Sequence, residues 1–148
     1  MSMLYYLSKI VHISRPRLWL YTLGSFLFGV QIAVFQGNTI VLSAIFPFVL
    51  ILTLPVNLFA YALNDYFDSD TDSTNPKKDT YEHRATQGGD RQLLYLASFC
   101  AGLIVVFAFM QSMFVASLII LWLAIIYTYN VPPFRLKAIP VLDMIFAF

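Results

Sequence analysis

The stretch IVLSAIFPFVLILTLPVNLFAYALNDYFDSDTD, residues 40–72, decides the fold, because an uncharged apolar run leads directly into a cluster of carboxylates. Residues 40–63 contain no charged side chain. A membrane-crossing helix needs about 20 mostly apolar residues, because the hydrocarbon core is about 30 Å thick. This run therefore predicts a transmembrane helix with an acidic segment where the helix leaves the membrane.

The rest of the chain has the same character. Of the 148 residues, 59% are hydrophobic and 11% are charged, whereas about a quarter are charged in a soluble domain. Uncharged apolar runs also cover residues 18–35, 93–110 and 113–129, and a fifth run, 139–148, is incomplete. We expect an all-α membrane protein with four transmembrane helices plus the start of a fifth, forming a single integral-membrane domain over residues 1–148.

The basic residues predict the orientation. Loops 64–92 and 130–138 and the amino-terminal arm contain every Lys and Arg, whereas connections 36–39 and 111–112 are uncharged. The nine basic residues are Lys9, Arg15, Arg17, Lys77, Lys78, Arg84, Arg91, Arg135 and Lys137. By the positive-inside rule, the amino terminus and both loops are expected on the cytoplasmic side. The net charge of +1 gives no indication of nucleic-acid binding.

The acidic segment predicts a metal site. Asp65, Asp68 and Asp72 follow helical spacing, and Asn64 precedes Asp68 by four positions, so we expect these side chains to share roughly one face. Asp70 points to another face and is expected to be solvated. Clustered carboxylates repel one another unless a cation or solvent offsets the repulsion. Mg²⁺ prefers oxygen ligands and is commonly held by one or two carboxylates together with substrate phosphates.

Other interpretations of the acidic segment compete with this one. A charge run beside a span is often only a solvated loop. An EF-hand calcium loop is disfavoured, because Ser73 stands where the turn needs glycine and Asp79 stands where a bidentate glutamate is expected. A divalent-cation transporter is also disfavoured, because the carboxylates lie at the membrane edge and not within the spans.

The motif Asn64-Asp65-x-x-Asp68-x-x-x-Asp72 resembles the first motif, NDxxDxxxD, of the UbiA superfamily of membrane prenyltransferases. The segment Ser14-Arg15-Pro16-Arg17 and the stretch from Tyr129 to Lys137 agree with this resemblance. It covers the whole chain, but only about the first half of a typical member, which is a larger bundle of about nine helices with a second aspartate-rich motif. Asn75-Pro76-Lys77-Lys78 is similar to the carotenoid-elongating branch, which prenylates a lycopene-type end.

The resemblance implies Mg²⁺-dependent transfer of a prenyl group from an allylic diphosphate to a lipophilic acceptor in the bilayer, such as a carotenoid or a quinone-type aromatic compound. Asn64, Asp65, Asp68 and Asp72 would be catalytic, with the three aspartates as metal ligands. The implied diphosphate-binding residues are Lys77, Lys78, Arg84, Arg135 and Lys137. The candidates for an acceptor pocket are Tyr127, Tyr129 and Asp143.

Several of these residues have plainer alternative roles. Any one basic residue can serve as a positive-inside anchor, and Arg15 and Arg17 are expected to contact lipid headgroups. Tyr127 and Tyr129 can belong to an interfacial aromatic belt. The competing function is a non-catalytic truncated half, or an assembly subunit for a complementary carboxyl-terminal half. These 148 residues alone are expected to be inactive.

Overall fold

A computed structural model describes residues 3–69 and 90–146, and every regular element in these two ranges is helical. Before the gap lie α1 (Met3–Ile13), a 3₁₀ turn (Pro16–Leu18), α2 (Trp19–Phe35) and α3 (Leu42–Phe67). After the gap lie α4 (Arg91–Phe109), α5 (Met113–Asn130), a second 3₁₀ turn (Leu136–Ala138) and α6 (Pro140–Phe146). The predicted all-α class is therefore confirmed.

The described residues contain four helical segments that are long and apolar enough to cross a membrane. They are the nearly continuous run Met3–Phe35, then α3, α4 and α5. Large apolar side chains such as Phe35, Phe109 and Met113 are exposed on these helices. Lipid tails are as apolar as such side chains, so a bilayer covers these faces without cost. The chain is an integral membrane protein.

The end of α3 and the presence of α1 are the main differences from the sequence expectation. Helix α3 ends at Phe67, four residues beyond the predicted end of the second span, and the Asp68 N–H still donates to the Asn64 carbonyl at 3.0 Å. Asn64 and Asp65 are therefore helical and not part of a loop. The reason is that charge marks the edge of the hydrocarbon, whereas backbone hydrogen bonding continues into the polar region. Helix α1 was not predicted.

Helix α3 continues through Pro47 and Pro55. A proline supplies no backbone N–H, so nearby carbonyls need other donors. The Leu52 carbonyl accepts hydrogen bonds from Thr22 Oγ1 and from Asn57 Nδ2, both at 2.9 Å, and the Thr53 carbonyl accepts from Asn57 Nδ2 at 2.6 Å. Polar side chains of α2 and α3 thus donate to backbone carbonyls in the turn before Pro55, as is common near prolines of membrane helices.

The core lies mainly between α3 and α4, which form the most extensive helix pair. Ala62 of α3 and Ala97 of α4 are almost completely buried, which is typical of helices that approach closely in membranes. Leu58, Leu93 and Ile104 complete the centre of this interface. The packing fixes α3 in the middle of the bundle and places its carboxyl-terminal end, which carries the aspartates, beside the two 3₁₀ turns.

Candidate active site

Two neighbouring carboxylates at the end of α3 receive cations from two distant segments. Arg15 Nη2 lies 2.7 Å from Asp65 Oδ1. Arg135 Nη2 lies 2.8 Å from Asp68 Oδ1, and Lys137 Nζ lies 2.6 Å from Asp68 Oδ2. The structure therefore brings together Asp68, Arg135 and Lys137, three of the residues that the sequence analysis predicted for one site.

The two arginines share an uncommon backbone conformation. Arg15 has φ 50° and ψ 69°, and Arg135 has φ 36° and ψ 57°. This left-handed region is unfavourable for residues with a Cβ atom, by about 1 to 2 kcal/mol. Each arginine directly precedes a 3₁₀ turn and forms an ion pair with an aspartate of the motif. Backbone strain of this kind tends to occur at functional sites.

The Arg15 and Asp65 pair is buried. The exposed fraction of the side chain is 10% for Arg15 and 0% for Asp65. The Arg15 guanidinium also lies over the Tyr61 ring, 4.6 Å from its centroid, which is within the range of cation–π attraction. The expectation that Arg15 contacts lipid headgroups was wrong, because its side chain turns inward to a carboxylate on a neighbouring helix.

Asp68 lies in a polar network that includes a residue missed by the sequence analysis. Asn130 is buried, and its Oδ1 accepts hydrogen bonds from Lys137 Nζ at 3.0 Å and from Asn64 Nδ2 at 3.4 Å. Asn64 Nδ2 also donates to Asp68 Oδ2 at 3.0 Å. The sequence of the Tyr129 to Lys137 stretch does not show that Asn130 is buried, so the need of its side chain for polar partners became evident only in the structure.

The oxygen atoms near Asp68 belong to carboxylate and amide groups, which are the ligands that Mg²⁺ prefers. Both oxygens of Asp68 pair with cations in this structure, so a metal ion would compete with Arg135 and Lys137 for this carboxylate. No group of three His, Cys, Asp or Glu side chains that could hold a metal ion occurs within residues 3–69 and 90–146. Asp70, Asp72, Lys77, Lys78 and Arg84 lie outside the described residues, so their assignments stay predictions.

The acceptor-pocket candidates fall into two groups. Tyr129 borders a cavity, and its hydroxyl donates to Asp143 Oδ1 at 2.5 Å. This hydrogen bond joins α6 to α5 and gives the Asp143 carboxylate, which lies in an apolar run, a polar partner. Tyr127 is 48% exposed and does not border that cavity. The geometry thus favours Tyr129 over Tyr127 for contact with a bound molecule.

A cavity of about 620 Å³ opens beside the end of α3, between α2, α3 and α5. Arg15, Asn64 and Asn130 border its polar end. A second cavity of about 470 Å³ shares part of its wall and extends toward Phe48 and Phe107, whose rings meet edge to face at 4.9 Å. The two cavities together offer polar contacts at one end and apolar surface at the other, which suits an amphiphilic molecule.

Fold and site together define a multi-pass helical membrane protein in which a cluster of acidic and basic residues lies near the polar end of a largely apolar cavity. Residues 22–148 match the model of the UbiA prenyltransferase family. The chain belongs to this family, and the resemblance noted in the aspartate-rich motif is confirmed.

Three similar proteins are described as lycopene elongase/hydratase. The Haloarcula japonica protein is 32% identical over 94% of this chain and 47% of its own length. The Halobacterium salinarum protein is 35% identical over 88% of this chain and 47% of its own length. The Haloferax volcanii protein is 37% identical over 90% of this chain and 44% of its own length. The chain thus spans slightly less than half the length of these relatives. No solved structure matches it.

Proposed function

We propose that the full-length protein is a membrane prenyltransferase that transfers a prenyl group from an allylic diphosphate to a lipophilic acceptor. The observation that carries this proposal is that Asp68, Arg135 and Lys137 form one charged cluster. Hydrogen bonds join this cluster to Asn64 and Asn130, which border the polar end of an elongated cavity. The carboxylate suits a metal ion, the cations suit phosphate oxygens, and the apolar wall suits hydrocarbon. The present chain supplies the first aspartate-rich half-site.

The metal and diphosphate roles follow from charge. Asp68 and Asp72, with Asp65 as a third carboxylate, are the proposed Mg²⁺ ligands, and bound Mg²⁺ neutralises negative charge on the leaving diphosphate. Asn64 holds Asp68 in place through its side-chain amide. The proposed diphosphate contacts are charge-assisted hydrogen bonds, which are the strong kind, from Arg135 and Lys137 and, in the preceding loop, from Lys77, Lys78 and Arg84.

Prenyl transfer requires cleavage of the bond between the allylic carbon and the bridging oxygen. Negative charge grows on the diphosphate as this bond breaks, so fixed cations beside it lower the barrier. Lys137 is held by Asp68 and Asn130, and Arg135 is held by Asp68 and the Phe67 carbonyl, so both are positioned before substrate arrives. Little reorganisation is then needed during the reaction.

The lining of the cavity determines which molecules can react with the allylic cation. Val56 and Trp122 line both cavities. At the apolar end, the Phe48 ring stacks on Phe26 and meets Phe107 edge to face. These surfaces exclude bulk water, which would otherwise quench the cation. The names of the similar proteins favour a carotenoid acceptor over a quinone-type aromatic one. Tyr129, held by Asp143, is the proposed acceptor-side contact, and Tyr127 is a weaker candidate.

The aspartate-rich segment and the amino terminus are proposed to face the cytoplasm, on the basis of the positive-inside rule. The first experiment uses membranes that contain the full-length protein, a labelled short allylic diphosphate and lycopene. We expect label in the carotenoid fraction with Mg²⁺ and none after chelation. Label that appears only in added quinone precursors would change the acceptor class, and no transfer to any acceptor would contradict the proposed function. Residues 1–148 alone are expected to show no transfer.

A further inference from the structure

Three polar side chains line the wall where the two cavities meet. Thr22 and Ser25, one turn apart on α2, border both cavities. Asn57 of α3 borders the cavity that contains the polar end, and the exposed fraction of this residue is 2%. The shared wall is otherwise formed by apolar and aromatic residues such as Val56 and Trp122. A polar group in such surroundings needs hydrogen-bond partners.

The hydrogen-bond donors of Thr22, Ser25 and Asn57 already have acceptors within the protein. Asn57 Nδ2 donates to the Leu52 and Thr53 carbonyls and, at 3.2 Å, to Thr22 Oγ1. The Thr22 hydroxyl lies 2.9 Å from the Leu52 carbonyl, and the Ser25 hydroxyl donates to the Tyr21 carbonyl at 2.7 Å. What these side chains still offer to the cavity is therefore hydrogen-bond acceptors.

Asn57 Oδ1 is the acceptor of this group that the protein leaves open. It receives no hydrogen bond from any donor in the part of the chain that the structure describes. An amide oxygen can accept two hydrogen bonds, so Asn57 can bind a donor from a molecule in the cavity that it borders. The cavity is large enough beside it for a small molecule. These facts indicate a ligand that donates an O–H group to Asn57.

The place of this acceptor separates its ligand from the diphosphate. Asn57 precedes Asn64 by seven residues on α3, so they are about 10 Å apart along the helix axis. A diphosphate bound at Arg135 and Lys137 does not reach Asn57, whereas the acceptor molecule beyond a short prenyl group does. The names of the similar proteins contain both elongase and hydratase. The first word denotes a prenyl addition here, and the second denotes the addition of water.

We infer that Asn57, Thr22 and Ser25 bind the water molecule that adds to the acceptor after prenyl transfer, an inference that rests on the proposed function. The C–O bond of the allylic diphosphate breaks and its electron pair leaves with the diphosphate. The π electrons of an acceptor C=C bond then form the new C–C bond, which leaves a carbocation on the acceptor. The water oxygen forms a C–O bond to that carbocation, and the proton that the oxygen then loses passes to solvent.

The geometry of the site explains why one water can react there without quenching the first cation. The water donates its two hydrogens to the acceptors of this group, so its lone pairs face the cavity. It lies about two helical turns from Asn64, beyond the carbon that loses the diphosphate. Without this water, the acceptor carbocation loses a proton and gives an unhydrated alkene. The site therefore decides which product forms, not whether prenyl transfer occurs.

The test uses the full-length protein with a short allylic diphosphate and lycopene in H₂¹⁸O, and measures hydrated and unhydrated prenylated products by mass spectrometry. For Asn57→Leu we expect the ratio of hydrated to unhydrated product to fall about tenfold, while total prenyl transfer stays within about threefold. Wild-type product should contain ¹⁸O. Because Asn57 also supports the α3 backbone, Ser25→Ala serves as a second variant, with an expected fall of about threefold.

Ser117→Ala is the matched control, because the Ser117 hydroxyl also donates to a carbonyl of its own helix, at 2.7 Å, but borders neither cavity. Its product ratio should equal that of wild type. An unchanged ratio in both cavity variants would overturn the inference, as would an equal loss of both products. A wild-type protein that makes only unhydrated product would overturn the inference and leave the proposed function standing. Absence of any transfer would instead remove the proposed function itself.

Discussion

Arg135 and Asp68 are 67 positions apart in the sequence, yet Arg135 Nη2 lies 2.8 Å from Asp68 Oδ1. The contact joins the end of α3 to the segment after α5, and Lys137 reaches the other carboxylate oxygen. The carboxylate that is proposed to bind metal thus already carries the two cations that are proposed to bind diphosphate. Four predictions follow from this site and its neighbours.

Asp68→Asn should lower prenyl transfer by the full-length protein about 100-fold, because the amide retains the shape but neither binds Mg²⁺ well nor orients Arg135 and Lys137. Initial rates in membranes at saturating Mg²⁺ provide the measurement. Asp90→Asn is the matched control, since Asp90 pairs with Lys9 at 3.1 Å, at the start of α4. Activity near the wild-type rate in Asp68→Asn would remove the proposed ligand role.

Lys137→Gln should have opposite effects on the two ligands. Loss of the charge at 2.6 Å from Asp68 frees that carboxylate, so affinity for Mg²⁺ without substrate should rise, while KM for the allylic diphosphate should rise about tenfold. Mn²⁺ titration by electron paramagnetic resonance and steady-state kinetics measure the two effects. Lys9→Gln, which alters another Lys–Asp pair, should change neither. Weaker metal binding in Lys137→Gln would contradict the prediction.

Arg15→Met should lower the free energy of unfolding by about 3 kcal/mol, because it leaves a buried carboxylate without its arginine. Unfolding of the purified full-length protein in mixed detergent and SDS measures this loss. Arg91→Met, an exposed residue at the start of α4, should have a small effect. Arg15→Met combined with Asp65→Asn should cost less than the sum of the single changes, since the two side chains interact directly. Strict additivity would argue against the pair.

Tyr129→Phe and Asp143→Asn should be coupled, because their hydrogen bond at 2.5 Å joins α5 to α6. A double-mutant cycle on unfolding should give a coupling free energy of about 1.5 kcal/mol, as expected for a hydrogen bond to a charged group. Tyr127→Phe combined with Asp143→Asn is the control, since the half-exposed Tyr127 has no such bond to Asp143. A coupling near zero for the Tyr129 pair would show that the contact does not stabilise α6.

The sequence was sufficient for the helices and for the motif because both are local. A run of uncharged apolar residues predicts a span wherever it occurs, and the spacing of Asn64, Asp65 and Asp68 can be read directly from the chain. The same local rules placed the end of α3 too early. Hydrophobicity is lost at residue 64, but the backbone hydrogen bonding of the helix continues to Phe67. They also missed α1, whose short apolar patches are interrupted by Lys9 and His12.

Arg15 shows why the site could not be completed from sequence. A basic residue near a span satisfies the positive-inside rule whether it binds a lipid headgroup or pairs with a buried carboxylate. The neighbouring sequence does not distinguish these two roles. The choice depends on where the left-handed backbone at Arg15 directs its side chain and on which residues of α3 lie opposite. The same is true of other site residues, whose roles depend on which helices contact one another in the folded protein. These residues are Asn130, Thr22, Ser25 and Asn57.

By itself, then, the sequence determined an all-helical membrane protein of the prenyltransferase type and the position of its first aspartate-rich motif. The tertiary structure alone decided that Asp65 pairs with Arg15, that Asp68 pairs with Arg135 and Lys137, and that a cavity opens beside them. The physical reason is that spans and motifs arise from neighbouring residues, whereas ion pairs and cavities arise from the packing of segments 50 or more positions apart.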